Sequence, residues 1–419
     1  MCIYNYLIAE RRVRTLNKIL TKFRSHALKI KDAGGALYIV GGAVRRFLMC
    51  QTPHDVDFCV CGLSAEKFRE LFPEARQQGK QFPVFVIDNC EFALARTERK
   101  TGLGYNGFEI NSDPSVTIEE DLYRRDLTMN SMAIDVIHGN VIDPYNGLLD
   151  ILSKDFRPTS ESFKEDPVRV IRAARFACQY DYRITTELLE MMKELRPEIK
   201  LISADHKLSE LRKVFESNNP ANYFYELLVA EVLDSIFPEV YALIGVTQAH
   251  HKDGDAFEHT MRVLDHCRTL TDDPVILFAA LTHDLGKSTT PKEILPAHHD
   301  HENRSVKIIE TINWVPNEWK SFAKVVAAEH MKGHRFSEMK RGKRVSLLEK
   351  LHKSSRGLDG FCKVLLADKP TPDTMKNIAS MHATYAKIYS ISGEDLPATT
   401  PKGEAFGKVL HQKRAEMIE

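Results

Sequence analysis

The sequence has no run of about 18 apolar residues, so a membrane-spanning helix is not expected. Met1 to Arg12 is short and charged in its second half, which does not fit a secretory signal. A cytoplasmic protein, away from any membrane, is the expectation. The eight cysteines include no C-x-x-C pair and no even spacing. Free thiols in a reducing compartment follow, with Cys59 and Cys61 in a buried strand. No internal repeat and no low-complexity segment is present. Net charge is absent as well, because 58 Lys and Arg balance 58 Asp and Glu. A nucleic-acid partner ordinarily leaves a basic footprint, and none shows at the level of the whole chain. The basic runs Glu10 to Arg24 and Arg96 to Lys100 read, on charge alone, as solvated helix faces.

What remains is an ordinary soluble composition, 43% apolar and 28% charged over 419 residues. At about 100–200 residues per domain, two to four domains are expected. Leu16, Ile19, Leu20, Phe23 and Ala27 recur at helical spacing and predict an amphipathic helix over Leu16 to Ile30. Asp32-Ala33-Gly34-Gly35 ends it. Strands are expected over Ala36 to Val40, Val56 to Cys61, Val84 to Ile87 and Phe92 to Ala95, with a helix over Ala43 to Cys50. This α/β unit ends near Asp150, and the chain turns helical from Asp166. Asp166-Pro167 and Asp273-Pro274 are helix starts, the second helix being closed by Gly286. Pro370, Pro372, Pro397 and Pro401 mark a looser tail. Histidine is unevenly spread: ten of the 17 lie between His250 and His334. The two halves are therefore chemically different.

Asp55 and Asp57, two apart on an expected strand, would face one side while Val56 and Phe58 face the core. Alone, such a pair describes a solvated loop. The surroundings change that. Gly41-Gly42 precedes a helix N-terminus, which favours anions, and Arg45 lies one turn in. A phosphate turn and a carboxylate pair fit a nucleoside triphosphate with Mg²⁺. Asp166, Arg169 and Arg172 form one stripe of a helix. On spacing alone, Asp166 is an N-cap and the arginines are solvated or paired with it. Arg124-Arg125-Asp126 reads as a surface ion pair.

Gly41-Gly42-Ala43-Val44-Arg45 followed by Asp55-Val56-Asp57 resembles motif A of the class II tRNA nucleotidyltransferases, the CCA-adding enzymes, and of bacterial poly(A) polymerases. Glu120 to Asn130 is similar to the family's ribose-reading motif. Asp143-Pro144-Tyr145-Asn146-Gly147 and Glu165-Asp166-Pro167-Val168-Arg169 match the next two in order. The resemblance implies an α+β chain: a polymerase-beta-like nucleotidyltransferase head, an all-α neck and body, and an all-α HD domain. It implies catalytic Asp55 and Asp57 with Glu91 as a third carboxylate. It implies Gly42, Arg45, Arg124, Asp126 and Asn130 at the ribose and triphosphate, Asp166 and Arg169 at the base of CTP or ATP, and Arg172 among the nucleotide-binding residues. The family usually has Asp where this chain has Arg46.

His283-Asp284-Leu285-Gly286-Lys287 resembles the HD metal-dependent phosphohydrolase motif, with His259 and Asp368 as the best fits to its earlier His and late Asp. Imidazole and carboxylate together suit a divalent transition metal such as Ni²⁺ or Mn²⁺. His330 and His334 are four apart, though Gly333 weakens a helix there, and His298, His299 and His301 are expected in a loop. These are candidates for a second metal position. The resemblance is to bacterial CCA-adding enzymes that carry this domain. It implies 2′,3′-cyclic phosphodiesterase, 2′-nucleotidase and phosphatase activity beside CCA addition to tRNA. The expected division is 1–150 head, 151–245 neck and body, 246–370 HD domain and 371–419 helical tail, in a monomer or homodimer. Two alternatives stay open: an enzyme adding only A, only CC or a poly(A) tail, and an HD phosphohydrolase whose head is weakened by Arg46.

Overall fold

The apolar stripe at the N-terminus forms a helix longer than its periodicity predicts, α1 over Cys2–Asp32. Its buried residues Phe23, Ala27 and Ile30 lie on one face. The computed structural model describes residues 2–53, 55–78, 83–100, 102, 108–248, 254–396 and 402–418. His250, His251, Pro397 and Pro401 lie outside the described residues. The chain divides into two units, Met1–Ile202 and Ser203–Glu419.

In the first unit β1 (Ala36–Val40) leads into α2 (Gly42–Leu48), and β2 (Asp57–Cys61) leads into α3 (Ala65–Leu71). Then come β3 (Arg76–Gln78), β4 (Val84–Ile87) and β5 (Cys90–Leu94). Asp88 and Asn89, both at positive φ (52° and 61°), turn β4 back into β5. β6 (Thr97–Lys100) and β7 (Phe108–Asn111) form a separate ribbon. Helix α4 (Ile118–Tyr123) starts on a capping box of Thr117 and Glu120. β8 (Ala133–Asp135) and β9 (Val141–Ile142) complete a mixed sheet ordered β3-β4-β5-β2-β1-β8-β9 among the described residues. Only β2 and β5 run parallel in it. Beyond the sheet lie α5 (Gly147–Ser153), α6 (Val168–Tyr180) and α7 (Thr186–Glu194), with a short parallel pair β10 (Asp155–Phe156) and β11 (Arg183–Ile184).

The sheet separates two apolar layers. Phe58 and Phe92 stack at 4.6 Å on neighbouring strands and meet Phe23 of α1. Val40, Cys59, Leu122 and Ala133 pack the other layer. Each fully buried large side chain contributes roughly 1.5–3 kcal/mol. The seven cysteines with described side chains are free.

The second unit is helical: α8 (Ala204–Phe215), α9 (Ala221–Val229), α10 (Leu233–Ile236), α11 (Pro238–Tyr241), α12 (Ala256–Leu270), α13 (Pro274–Thr282), α14 (His301–Thr311), α15 (Asn317–His334), α16 (Arg341–Lys353), α17 (Gly357–Asp368), α18 (Pro372–Tyr389) and α19 (Glu404–Glu416). Every residue of α13 from Val275 to Thr282 is buried, with α12, α15 and α17 packed around it. Asp273 caps it by accepting the Val275 N–H at 2.8 Å. The helix stops at Thr282, ahead of Gly286, and His283 Nδ1 bonds the carbonyl of Ala280 at 2.8 Å. Gly333 does not weaken α15, which runs through it. A Cβ there would stand 2.6 Å from Leu365 Cδ1 and 2.8 Å from Phe361 Cε1, so glycine is what lets α17 approach. No described helix is long and apolar enough to cross a membrane.

Candidate functional site

In the first unit, β1 ends at Val40, and Gly41, whose φ of 69° suits glycine, turns the chain into α2. Gly42 is the first residue of that helix. Asp57 opens β2, while Asp55 lies before the strand, so the pleat alone does not align the pair as expected. The alignment comes from elsewhere. Asp57 and Glu91 are register partners on parallel β2 and β5, and in-register residues project from the same face. Glu91 lies inside β5 rather than ahead of it. Partial burial raises the Asp57 carboxyl above its usual range, and the charges of Glu91 and Asp55 add to that against Arg125. Asp57 thus feels both other carboxylates, although among the described residues Asp55, Asp57 and Glu91 do not bring their ligand atoms together as closely as the histidine clusters of the second unit do.

Behind them lies a network of arginines and aspartates. Arg45 is buried, donates to Asn130 Oδ1 and to Tyr180 Oη (3.2 Å), and stacks on the Phe176 ring at 4.7 Å. Asn130 Nδ2 donates to Asp126 Oδ1 at 2.8 Å. Arg172 Nε and Nη2 donate to Asp126 Oδ2 at 3.0 and 2.7 Å. The chain of bonds ties α2 to α6. Burial alone would raise the Asp126 carboxyl, but Arg172 and Asn130 hold it well below the usual range.

Arg124 is not a surface ion pair. Its guanidinium donates to Asp121 Oδ1 (2.7 Å from Nη2) and Glu98 Oε1 (2.8 Å from Nη1), while Arg125 Nη2 donates to Asp121 Oδ2 at 2.9 Å. Asp121 is 1% exposed. Burial pushes its carboxyl up, but Arg124 and Arg125 outweigh that and hold it at about 2. Arg125 Nη1 also lies 3.1 Å from where a Cβ would sit on Gly41, so this network borders the glycine turn. Asp166 Oδ1 accepts the Val168 N–H at 2.9 Å, and buried Arg169 donates to the Ser162 carbonyl at 2.6 Å.

In the second unit the histidines converge. His259, His283 and Asp284 bring ligand atoms within 4.8 Å of one another, and so do Asp284, His301 and His330. Asp284 belongs to both sets. Asp368 borders the first, its Oδ1 lying 3.1 Å from His259 Nε2 and 3.8 Å from His283 Nε2. Lys287 Nζ sits 2.6 Å from Asp284 Oδ2. The orientation of the rings has a local cause. His283, His301 and His330 each engage through Nδ1 the backbone carbonyl three residues back, at 2.8, 2.7 and 2.9 Å. That bond leaves each Nε2 facing the cluster, as a metal ligand requires. His283 Nε2 and Asp284 Oδ1 are buried without a well-formed hydrogen bond, with Asp284 Oδ2 and His301 Nε2 respectively 3.2 Å away, so both atoms remain open to a cation. The set of imidazole and carboxylate donors fits a divalent transition metal. His301 begins α14 instead of lying in a loop, while His298 bonds the Thr247 carbonyl at 2.9 Å and stays outside both clusters.

A family profile described as the Poly A polymerase head domain matches residues 37–157, the HD domain matches 256–354, and the probable RNA and SrmB-binding site of polymerase A matches 181–243. The multifunctional CCA protein of Thioalkalivibrio sulfidiphilus is 37% identical over 91% of this chain and 97% of its own length. The chain belongs to the multifunctional CCA protein family. Among solved structures, a CCA-adding enzyme with CTP superposes with a TM-score of 0.70 at 19% identity, covering 98% of this chain and 93% of that one. The Thermotoga maritima CCA-adding enzyme complexed with tRNA gives 0.66 at 18% identity, covering 96% and 93%.

Within this multifunctional CCA protein fold, sequence reasoning passed over several residues of the sites. Asp121 and Tyr180 carry bonds that no sequence expectation assigns, Arg125 reads only as part of a surface ion pair, and nothing in the sequence connects Glu98 to Arg124. Their link is spatial: Glu98 and Asp121 lie on separate elements that meet only after the head folds. The acidic residue three before Arg124 and four before Arg125 was the available signal.

Proposed function

We propose that the first unit adds CCA to the 3′ end of tRNA from CTP and ATP without a template, and that the second unit hydrolyses phosphoesters at the histidine cluster. The observation that carries the first part is the Asp57–Glu91 register with Asp55 beside it. It is supported by relatives named for CCA addition. Mg²⁺ held by Asp55 and Asp57, with Glu91 adjacent, would supply charge neutralisation and a more acidic 3′-hydroxyl. The protein's own groups do the rest. The Gly41-Gly42 turn and the N-terminus of α2 receive the triphosphate. Arg45, Arg124, Asp126 and Asn130 hold the ribose and phosphates, and the buried bonds among them keep those groups preorganised. Asp166 accepts from the exocyclic amine at the pairing edge of C and A, while Arg169 donates to ring acceptors. UTP and GTP present a carbonyl at that edge and leave Asp166 facing an acceptor. Arg172 fixes Asp126.

In the division we favour, 1–150 is the catalytic head, 151–245 selects nucleotide and holds tRNA, 246–370 is the phosphohydrolase, and 371–419 is a helical tail. His259, His283, Asp284 and Asp368 hold a divalent ion such as Ni²⁺ or Mn²⁺, with His301 and His330 beside a second position. Such an ion supplies a nucleophilic water at neutral pH. The activities expected are 2′,3′-cyclic phosphodiesterase, 2′-nucleotidase and phosphatase.

Incubating tRNA that ends at the discriminator base with labelled CTP and ATP, then sequencing the product, tests the first reading. Addition of A alone, CC alone or a long A tail replaces it with the corresponding rival. If nucleotide incorporation is absent in the wild type while phosphohydrolysis is normal there and in Asp55→Ala, the chain is a phosphohydrolase with a weakened head. The second reading fails if Asp284→Ala processes a 2′,3′-cyclic-phosphate tRNA as well as wild type.

A further inference from the structure

Asp368 is the last residue of α17, and its carboxylate has different neighbours on its two oxygens. Oδ1 faces His259 and His283, as described above. Oδ2 lies 2.6 Å from His334 Nε2, a length typical of a charge-assisted bond. His334 sits one turn beyond His330 on α15, yet its environment is different. His330 engages a backbone carbonyl through Nδ1 and turns Nε2 toward Asp284 and His301. His334 Nδ1 instead lies 3.3 Å from the hydroxyl of Thr374, a residue of α18 that is 2% exposed. With Nε2–H donating to Asp368, Nδ1 is an acceptor, and the Thr374 hydroxyl is the donor it meets. The same helix holds the backbone of His334: Asn377 Nδ2 donates to the His334 carbonyl at 2.8 Å, and Asn377 Oδ1 accepts the Ser337 N–H at 2.8 Å. Both ring nitrogens are thus engaged, and His334 belongs to neither ligand cluster.

We propose that His334 is a positioning residue: it occupies Asp368 Oδ2, presents Oδ1 alone to the metal position beside His259 and His283, and is itself set by Thr374 of α18. A free carboxylate turns about its last torsion and offers an ion either oxygen or both. Holding Oδ2 from behind selects one-oxygen ligation and removes that freedom before the ion arrives. This rests on the reading that the His259–His283–Asp284 cluster holds a divalent ion.

The test is equilibrium binding of Mn²⁺ to the full chain by competition with a chromophoric chelator. It is done in an Asp57→Ala background, so that the first unit does not contribute. Removing an outer partner of a metal ligand typically lowers affinity about 10–100-fold, and that loss is expected for His334→Phe. Thr374→Val loses affinity in the same direction, and Thr374→Ser restores it. Co²⁺ loaded into His334→Phe shows a visible spectrum altered from that of the parent. Affinity of His334→Phe within twofold of its parent overturns the proposal. Should His334→Phe fail to fold, the threonine pair decides, and equal affinities of Thr374→Val and Thr374→Ser overturn it. A parent chain that takes up no Mn²⁺, Ni²⁺ or Co²⁺ overturns the metal reading beneath it instead.

Discussion

Replacing Asp121 by Asn removes one charge and almost no volume, yet the structure predicts a large effect. The Asp121 carboxylate is 1% exposed and receives three guanidinium donors, two from Arg124 and one from Arg125. Breaking a buried pair by removing one partner costs about 3–5 kcal/mol, because the remaining charge is left uncompensated. An independent route gives a similar figure. The carboxyl is held at about 2 against 3.8 for an unperturbed aspartate, and a unit of pKa is worth about 1.4 kcal/mol. That makes about 2.5 kcal/mol from the charge alone. The folded value is depressed, so this stability is fully present above pH 4 and lost as pH falls toward 2. For a unit of this size, about 3 kcal/mol lowers the melting temperature by roughly 6–12 °C. Calorimetry of wild type and Asp121→Asn at pH 7 reads it directly. A second readout is functional. Arg124 and Arg125 lose their anchor, so KM for CTP rises more than kcat falls. A melting temperature within 2 °C of wild type, with KM unchanged, would show that the network is not held through Asp121.

The other predictions concern both units. Asp57→Ala and Glu91→Gln each lower CMP incorporation into tRNA, on the order of 10²–10³-fold for the first and less for the second; unchanged initial rates in Glu91→Gln would remove Glu91 from the site. Burial opposes protonation of His283, but Asp284 and Asp368 raise its value to about 10, so the metal-free ring carries a proton at pH 7. Metal uptake at the cluster should therefore release about one proton per ion and weaken as pH falls. Titration calorimetry in buffers of different ionisation heat measures this, and no dependence on buffer contradicts it. Gly333→Ala places a methyl where Leu365 and Phe361 already stand, which should cost about 1–3 kcal/mol in urea unfolding and weaken metal binding through His330 and His334.

Local features of the two sites were legible in the sequence because local rules decide them. The Gly41 turn, strand β1, strand β4 and the Asp273 cap follow from turn chemistry, alternation and capping. Long-range partnership was not legible. That Asp57 meets Glu91 depends on which strands pair, and spacing does not encode a parallel register. His301 and His330 converge on Asp284 only after α14 and α15 pack. Arg124-Arg125-Asp126 reads as a surface ion pair because Glu98, which closes the buried network around Arg124 and Asp121, comes from elsewhere in the head. Helix propensity alone disfavours Gly333 in α15, but the close approach of α17 there requires it. In each case tertiary contact, not intrinsic preference, set the outcome.

The pairing of β2 with β5 also guards against error. A slip of one residue would turn Glu91 away from Asp57 and dismantle the carboxylate set. The same slip would exchange Phe92 with its neighbours and drive a charged side chain into the layer held by Phe23 and Phe58. The mistake that parts Glu91 from Asp57 is thus the mistake that ruins the core. A misregistered chain would be too unstable to persist as a folded but inactive competitor for tRNA.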